Sequence, residues 1–173
     1  MLRKPKLLNE AALKEYALRL LAGRALSAGE LREKLRTKAE VKGDVDTVMA
    51  QLKEYGYLDD RKFAESYAAA RLNNQGLGKQ RVLRDLRQRR VAGGVAEQAV
   101  QKTFEDTDEA ALVEAFLARK YRNTDLAELL ADEKKLAAVY RRLRYAGFGG
   151  GVAVKVLRRY ADRAGELEGS GED

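Results

Sequence analysis

Residues 76–91 read GLGKQRVLRDLRQRRV, and the chain repeats the pattern of this segment on both sides. The upstream copy lies 51 residues earlier, where Leu26, Leu31 and Leu35 correspond to Leu77, Val82 and Leu86. The downstream copy lies 57 residues later, where Val139, Leu143, Phe148 and Val152 correspond to Val82, Leu86, Val91 and Val95. A repeat of about 50 residues is typical of stacked helical modules, each too small to bury a large core alone.

On both sides of this segment, glycines separate stretches whose apolar residues recur at i, i+3 and i+4. This spacing predicts amphipathic helices and leaves little room for strands. Ser27 followed by Glu30 forms a capping box, which predicts a helix that begins directly after Ser27. With a leading helix in every copy, we predict helices over residues 8–22, 27–38, 44–55, 60–73, 79–89, 95–104, 107–120, 133–145 and 151–163.

These helices predict an all-α fold in which three tandem three-helix repeats form an elongated, curved array. We expect repeat 1 over residues 1–59, repeat 2 over 60–105 and repeat 3 over 106–163. Repeat 1 has a basic N-terminus that contains Arg3, Lys4 and Lys6. A disordered acidic tail is predicted over 164–173, because this segment has no basic residue and contains Glu166, Glu168, Glu172 and Asp173.

The composition removes several classes of chemistry. The chain has 173 residues, a formal net charge of +7, and neither histidine nor cysteine. Thiolate–imidazole zinc sites, cysteine nucleophiles and Ser-His-Asp relays are therefore excluded, and disulfides cannot form. We predict no catalytic residue, no metal, no cofactor and no enzymatic activity. Because the sequence has no signal-peptide pattern and no long apolar run, we expect a cytoplasmic monomer without a membrane partner.

A second motif, EYGYLDDRKFA at residues 54–64, contains two adjacent acids. If Asp59 is an N-cap, Leu58 and Phe63 occupy the N′ and N4 positions of a hydrophobic staple. Both carboxylates then lie near the positive end of a helix dipole, so we interpret Asp59 and Asp60 as structural. The alternative is a nuclease that uses these acids, which would cleave DNA only with magnesium.

Basic side chains gather on helix faces that avoid the apolar ones. On a helical wheel, the arc of Arg81, Arg84 and Arg87 lies beside the arc of Val82, Leu83 and Leu86. Residues 134–163 hold nine Lys or Arg against Asp162 alone. Such patches favour sequence-independent contact with phosphates or with an acidic protein, and a merely solvated face is the alternative. The candidate binding residues are Lys79, Arg81, Arg84, Arg87, Arg89, Arg90, Lys134, Lys135, Arg141, Arg142, Arg144, Lys155, Arg158 and Arg159.

The two motifs together carry a family resemblance. Tyr57, Leu58, Asp59, Asp60, Phe63 and Ala64, then Arg71 and the run from Gly76 to Val91, resemble the central signature of the RecX family of recombinase regulators. Lys120-Tyr121, the segment from Lys134 to Leu143, and Gly147-Phe148 resemble that family's C-terminal repeat. The resemblance covers residues 10–162. It departs at Leu77-Gly78, where the family often has a proline-containing turn, and at the glycine-rich start of the last helix, Gly149–Gly151.

The resemblance implies a regulator of homologous recombination, DNA repair and the SOS response. Its partners would be the RecA–DNA filament, bound in the helical groove, and single- and double-stranded DNA bound without sequence preference. It would inhibit the RecA ATPase, strand exchange and filament extension, and the basic candidates would contact RecA or DNA. The residues alone leave a second function open, a general helical DNA-binding protein that competes with the recombinase for DNA.

Overall fold

Local capping signals fix where many of the helices begin. The computed structural model describes residues 7–170. Six side chains each accept a backbone N–H from the first turn of the helix that follows: Asn9, Ser27, Asp59, Asp108, Asp125 and Asp132. The predicted capping box is confirmed, because Ser27 accepts the N–H of Glu30 while the Glu30 carboxylate accepts the N–H of Ser27.

The described residues form ten α-helices and one terminal 3₁₀-helix. They are α1 (Glu10–Gly23), α2 (Ala28–Arg36), α3 (Lys42–Glu54), α4 (Asp60–Gln75), α5 (Lys79–Gln88), α6 (Gly93–Thr103), α7 (Glu109–Lys120), α8 (Leu126–Leu130), α9 (Glu133–Tyr145), α10 (Gly150–Leu157) and the 3₁₀-helix (Asp162–Ser170). Between residues 7 and 170 there is no β-strand, although Leu8 and Ala39 make an isolated parallel bridge. The predicted all-α class is confirmed.

In chain order, we assign the helices to three modules that correspond to the predicted repeats, whose bounds stay a prediction. The first module is α1–α3, the second is α4–α6, and the third is α7, α9 and α10 with the short α8 inserted. None of the helices within residues 7–170 is both long and apolar enough to cross a bilayer. The elongated, curved arrangement of the repeats stays a prediction.

The described chain divides into two compact units, each with its own apolar core. Unit one comprises the residues up to Tyr67 together with Asp85–Ala99, and unit two comprises Ala68–Arg84 with the residues from Val100 onward. The core of unit one is built from the first module and includes Leu13, Ala17, Leu31, Leu35, Val45, Val48 and Leu52. The core of unit two is built mainly from the third module and includes Val113, Leu117, Leu136, Leu143, Phe148, Val156 and Leu157.

The third module differs from the prediction in three places. The five-residue α8 was not expected, and α10 ends at Leu157 rather than at residue 163. The chain then turns, which buries Ala164 completely and packs Leu167 against the unit-two core. The segment predicted as a disordered acidic tail therefore continues as a 3₁₀-helix through Ser170. The predicted termini Arg3, Lys4, Lys6, Glu172 and Asp173 lie outside the described residues.

Candidate functional site

The turn at residues 56–60 leads from α3 into α4, and its two acids have structural partners. The Lys62 N–H donates to Asp59 Oδ1 at 3.0 Å, so Asp59 is the N-cap that the sequence predicts. Leu58 is buried and Phe63 is half-buried, which fits the predicted staple. Asp60 Oδ1 accepts the N–H of Ala28 at 2.7 Å and thereby caps α2. Among the described residues, no group of three or more acids is arranged to hold a metal ion.

The start of α2 packs against the turn that follows α5, and we call this contact the first joint. Ser27 Oγ donates a hydrogen bond to the Arg89 carbonyl. A Cβ on Gly29 would lie 2.4 Å from the Arg90 carbonyl oxygen, so only glycine permits the approach. The Arg89 guanidinium donates to both oxygens of Glu30, at 2.8 and 3.0 Å, and lies 5.1 Å from the ring centre of Phe63.

The first joint also lowers the pKa of the Glu30 carboxylate. Partial burial by itself would raise the pKa of Glu30. Hydrogen bonds from Arg89 and from the Ser27 N–H, together with the charges of Arg89 and Arg24, outweigh burial and hold the pKa of Glu30 below its ordinary value. The ion pair is therefore ionised at neutral pH and stabilises the folded state there.

Three of the predicted binding residues have acidic partners in unit one. Arg89 is only 26% exposed and fixed to Glu30, so it belongs to the fold and we leave it out of the candidate interface. Arg87 pairs with Glu97 at 3.1 Å, and Arg90 pairs with Glu33 at 3.3 Å, with all four side chains exposed. Exposed ion pairs contribute only about 0–1 kcal/mol, so an anionic partner can replace these two at little cost.

The start of α5 packs in the same way against the turn that follows α9, and we call this contact the second joint. Gly78 N–H donates to the Ala146 carbonyl at 2.9 Å, and Gln80 N–H donates to the Gly147 carbonyl at 3.1 Å. A Cβ on Gly78 would lie 2.3 Å from the Gly147 oxygen. Gly147 itself has a φ of +96°, a conformation that favours glycine. The backbone contact explains why the chain has glycine at position 78.

Two arginines of the second joint lie beside an exposed aromatic ring. The Cζ atoms of Arg81 and Arg84 lie 4.6 and 5.8 Å from the ring centre of Tyr145. Arg84 Nη2 also donates to the Tyr145 carbonyl at 2.9 Å. Tyr145 is 68% exposed, so guanidinium groups and an aromatic ring meet at the surface. These groups bind phosphates and stack on unpaired bases in nucleic-acid-binding proteins.

The two joints carry different charge at equivalent positions. In the first joint, two acids of the helix face two arginines of the turn and the charges cancel: Glu30, Glu33, Arg89 and Arg90. The repeat shifts of 51 and 57 residues place other residues at these positions of the second joint: Arg81, Arg84, Ala146 and Gly147. The second joint thus has two positive charges where the first has no net charge. Backbone hydrogen bonds between the start of α5 and the turn after α9 hold the second joint together.

The remaining candidates lie in the third module or at the start of α5. Arg142 donates to the Tyr121 hydroxyl at 2.8 Å, Arg144 donates to the Phe148 carbonyl at 2.6 Å, and Arg159 pairs with Glu114. The others have exposed side chains: Lys79, Lys134, Lys135, Arg141, Lys155 and Arg158. That these residues bind a partner stays a prediction. The second joint offers more than exposed charge, because its arginines lie beside an aromatic ring in a defined geometry.

Sequence comparison identifies relatives of the chain. A family model described as "RecX, first three-helix domain" matches residues 14–52, and one described as "RecX, second three-helix domain" matches residues 59–100. The "Regulatory protein RecX" of Vibrio parahaemolyticus is 32% identical over 135 residues, which cover 78% of this chain and 83% of the relative. That of Deinococcus radiodurans is 29% identical over 162 residues, which cover 92% of this chain and 74% of the relative.

Solved structures agree at the level of the fold. The crystal structure of RecX from Lactobacillus salivarius superimposes with a TM-score of 0.65 at 17% identity, covering 87% of this chain and 96% of that one. A second crystal structure, of a regulatory protein RecX, gives a TM-score of 0.63 at 20% identity, covering 85% of this chain and 72% of that one. The predicted tandem three-helix repeats and the predicted family resemblance are both confirmed.

Proposed function

The chain belongs to the RecX family of regulatory proteins, and on this premise we propose that it binds the RecA–DNA filament in the helical groove. Binding there inhibits the RecA ATPase, strand exchange and filament extension, and so modulates recombination and DNA repair. In this proposal the chain acts as a cytoplasmic monomer, by position rather than by catalysis, and needs no cofactor. Family membership and the repeated three-helix modules support the proposal.

The observation that carries the proposed DNA contact is the charge of the second joint. Arg81 and Arg84 occupy positions that hold acids in the first joint, and Tyr145 adds an exposed ring beside them. Guanidinium groups bind phosphates without reading base sequence, so the contact suits single- and double-stranded DNA alike. The exposed cations of the third module, such as Lys134, Lys135 and Arg141, supply further groups for DNA phosphates or for acids of RecA.

The test is the DNA-dependent ATPase of preassembled RecA filaments with substoichiometric amounts of the chain. We expect the intact chain to inhibit, and the Arg81→Ala/Arg84→Ala double variant to need about tenfold more protein for the same inhibition, a loss of about 1.4 kcal/mol. The matched control is Arg36→Ala/Arg122→Ala, which removes two exposed arginines elsewhere. An unchanged ATPase with the intact chain at low and high salt contradicts the filament proposal. Equal inhibition by both double variants would show that the second joint does not contribute to the inhibition of RecA.

The second candidate function is competition for DNA without contact to RecA. The observation in its favour is that the second joint is built from phosphate-binding groups, which need no protein partner. Order of addition separates the two functions. A competitor inhibits when it is added before RecA and loses its effect on preassembled filaments, and its potency falls steeply with salt because counterions are released on binding.

A further inference from the structure

Two adjoining grooves flank the turn at residues 56–59 in unit one. One has a volume of about 480 Å³ and its walls are mainly apolar, from Leu18 and Leu21 of α1, Leu26, Tyr57 and Phe63. The other has a volume of about 840 Å³ and a floor that includes Ala28, Met49, Ala50 and Leu58. Gly56, Asp59 and Lys62 line both, and we call the two adjoining grooves together the turn groove.

The side chain of Tyr57 projects at the edge of the turn groove without serving the core. Tyr57 is 58% exposed, whereas the next residue, Leu58, is buried. The turn between α6 and α7 can be aligned with the turn between α3 and α4, because Asp108 and Asp59 are the N-caps that end them. In this alignment the exposed Asp106 stands at the position of Tyr57. A turn of this type therefore forms without an exposed tyrosine, and exposed aromatics beside a groove are typical of binding surfaces.

The charged residues of the turn groove leave an excess of positive charge for a partner. Its three acids are occupied: Asp46 pairs with Arg32, Asp59 caps α4 and lies 3.8 Å from Lys62, and Asp60 caps α2. Lys53 and Arg61 also line the groove, and neither has an acidic partner within residues 7–170. An incoming carboxylate thus finds cations that no acid of the described chain neutralises.

We propose that the turn groove binds an acidic segment of a partner protein, which inserts an apolar side chain between Tyr57 and Phe63. The 480 Å³ volume accommodates a leucine or phenylalanine side chain, and the aliphatic walls reward its burial. A nucleic acid fits less well, because its sugar-phosphate backbone has no apolar side chain to fill the apolar part of the groove. This inference goes beyond the proposed contact with DNA, which lies in unit two.

The test uses the full-length chain and three short fluorescein-labelled peptides, followed by fluorescence anisotropy. The first peptide has leucine and phenylalanine flanked by aspartates and glutamates, the second replaces the apolar residues with serine, and the third replaces the acids with lysine. We expect the first to bind at least about tenfold more tightly than either of the others. Neither RecA nor DNA is present, so failure here is distinct from failure of the proposed function.

Matched variants locate the binding. Ala22 lines the groove and Ala11 does not, and both are exposed alanines of α1. We expect Ala22→Glu to weaken the first peptide by about tenfold and Ala11→Glu to leave it unchanged, with the same melting temperature for both. Arg61→Glu should shift preference toward the lysine peptide. No binding of the first peptide, equal binding by Ala22→Glu, or binding of an oligothymidine that Ala22→Glu abolishes, each overturns the proposal.

Discussion

At the level of single residues, Glu30 and Arg89 make the stability of the chain depend on pH. The folded state lowers the pKa of Glu30, so the ion pair contributes fully above the ordinary pKa of a glutamate. That contribution is lost as the pH falls through the lowered pKa of the folded state. We expect Glu30→Gln to lower the free energy of unfolding at neutral pH and to flatten its dependence on pH in the acidic range, measured by urea unfolding.

The control for this prediction is Glu33→Gln. Glu33 also pairs with an arginine of the first joint, but its side chain is 49% exposed, against 15% for Glu30. Exposed pairs contribute little, so Glu33→Gln should change neither stability nor pH dependence appreciably. Equal pH profiles for the Glu30 variant and the unmodified chain would show that the ion pair does not stabilise the fold.

Phe63 is a second residue whose contribution depends on its surroundings. It lies in the staple after Asp59, stacks with Tyr67 at 6.1 Å between ring centres, and is only half-buried. We therefore expect Phe63→Ala to destabilise the chain by less than the roughly 3–5 kcal/mol that a fully buried phenylalanine contributes. Thermal unfolding of the variant checks this, and an unchanged melting temperature would contradict the staple.

At the level of elements, glycines decide whether the joints form. Gly29 and Gly43 are both second residues of their helices, α2 and α3. A Cβ at Gly43 meets nothing within 4 Å, whereas one at Gly29 meets the Arg90 backbone. We expect Gly43→Ala to stabilise the chain by about 0.4–1 kcal/mol and Gly29→Ala to destabilise it by about 1–3 kcal/mol, measured by chemical denaturation. Equal effects would show that the close approach carries no energetic weight.

Elements with a clear period and cap were predictable, and the others were not. The helix after Ser27 follows from its capping box, and α5 and α9 follow from apolar stripes of several turns. α8 has only five residues, too few for a periodic signal. After α10 ends, Ala164 is buried and Leu167 packs against the unit-two core, which are tertiary contacts that no local pattern encodes.

The candidate site was predictable in its charge but not in its partners. A helical wheel places Arg81 and Arg84 away from the apolar stripe, and they lie there beside Tyr145. The same reasoning selected Arg89, whose acid lies 59 residues away in sequence and is invisible to a wheel. Aligning the repeats shows that Glu30 corresponds to Arg81. That comparison would have distinguished Arg89, which has an acid in its own joint, from Arg81, which occupies the position of that acid.

For the whole molecule, the net charge of +7 does not give the number of cations that contact DNA. Arg87 and Arg90 have acids beside them and Arg89 is held inside the fold, whereas the guanidinium of Arg84 meets a carbonyl and a ring. Each phosphate that a cation neutralises releases counterions, so the logarithm of the binding constant falls with the logarithm of the salt concentration. The slope of that line therefore reports the number of phosphates that the protein contacts, not its net charge.

Salt titration of DNA binding turns this distinction into a measurement. We expect Arg84→Ala to reduce the magnitude of the slope by about 0.9 on double-stranded DNA and by about 0.7 on a single strand. Arg87→Ala should reduce it by less, because Glu97 already neutralises that guanidinium in the free chain and release of the acid offsets the gain. Equal slopes for both variants would mean that the protein contacts DNA through its diffuse positive charge, and that the second joint has no particular place in binding.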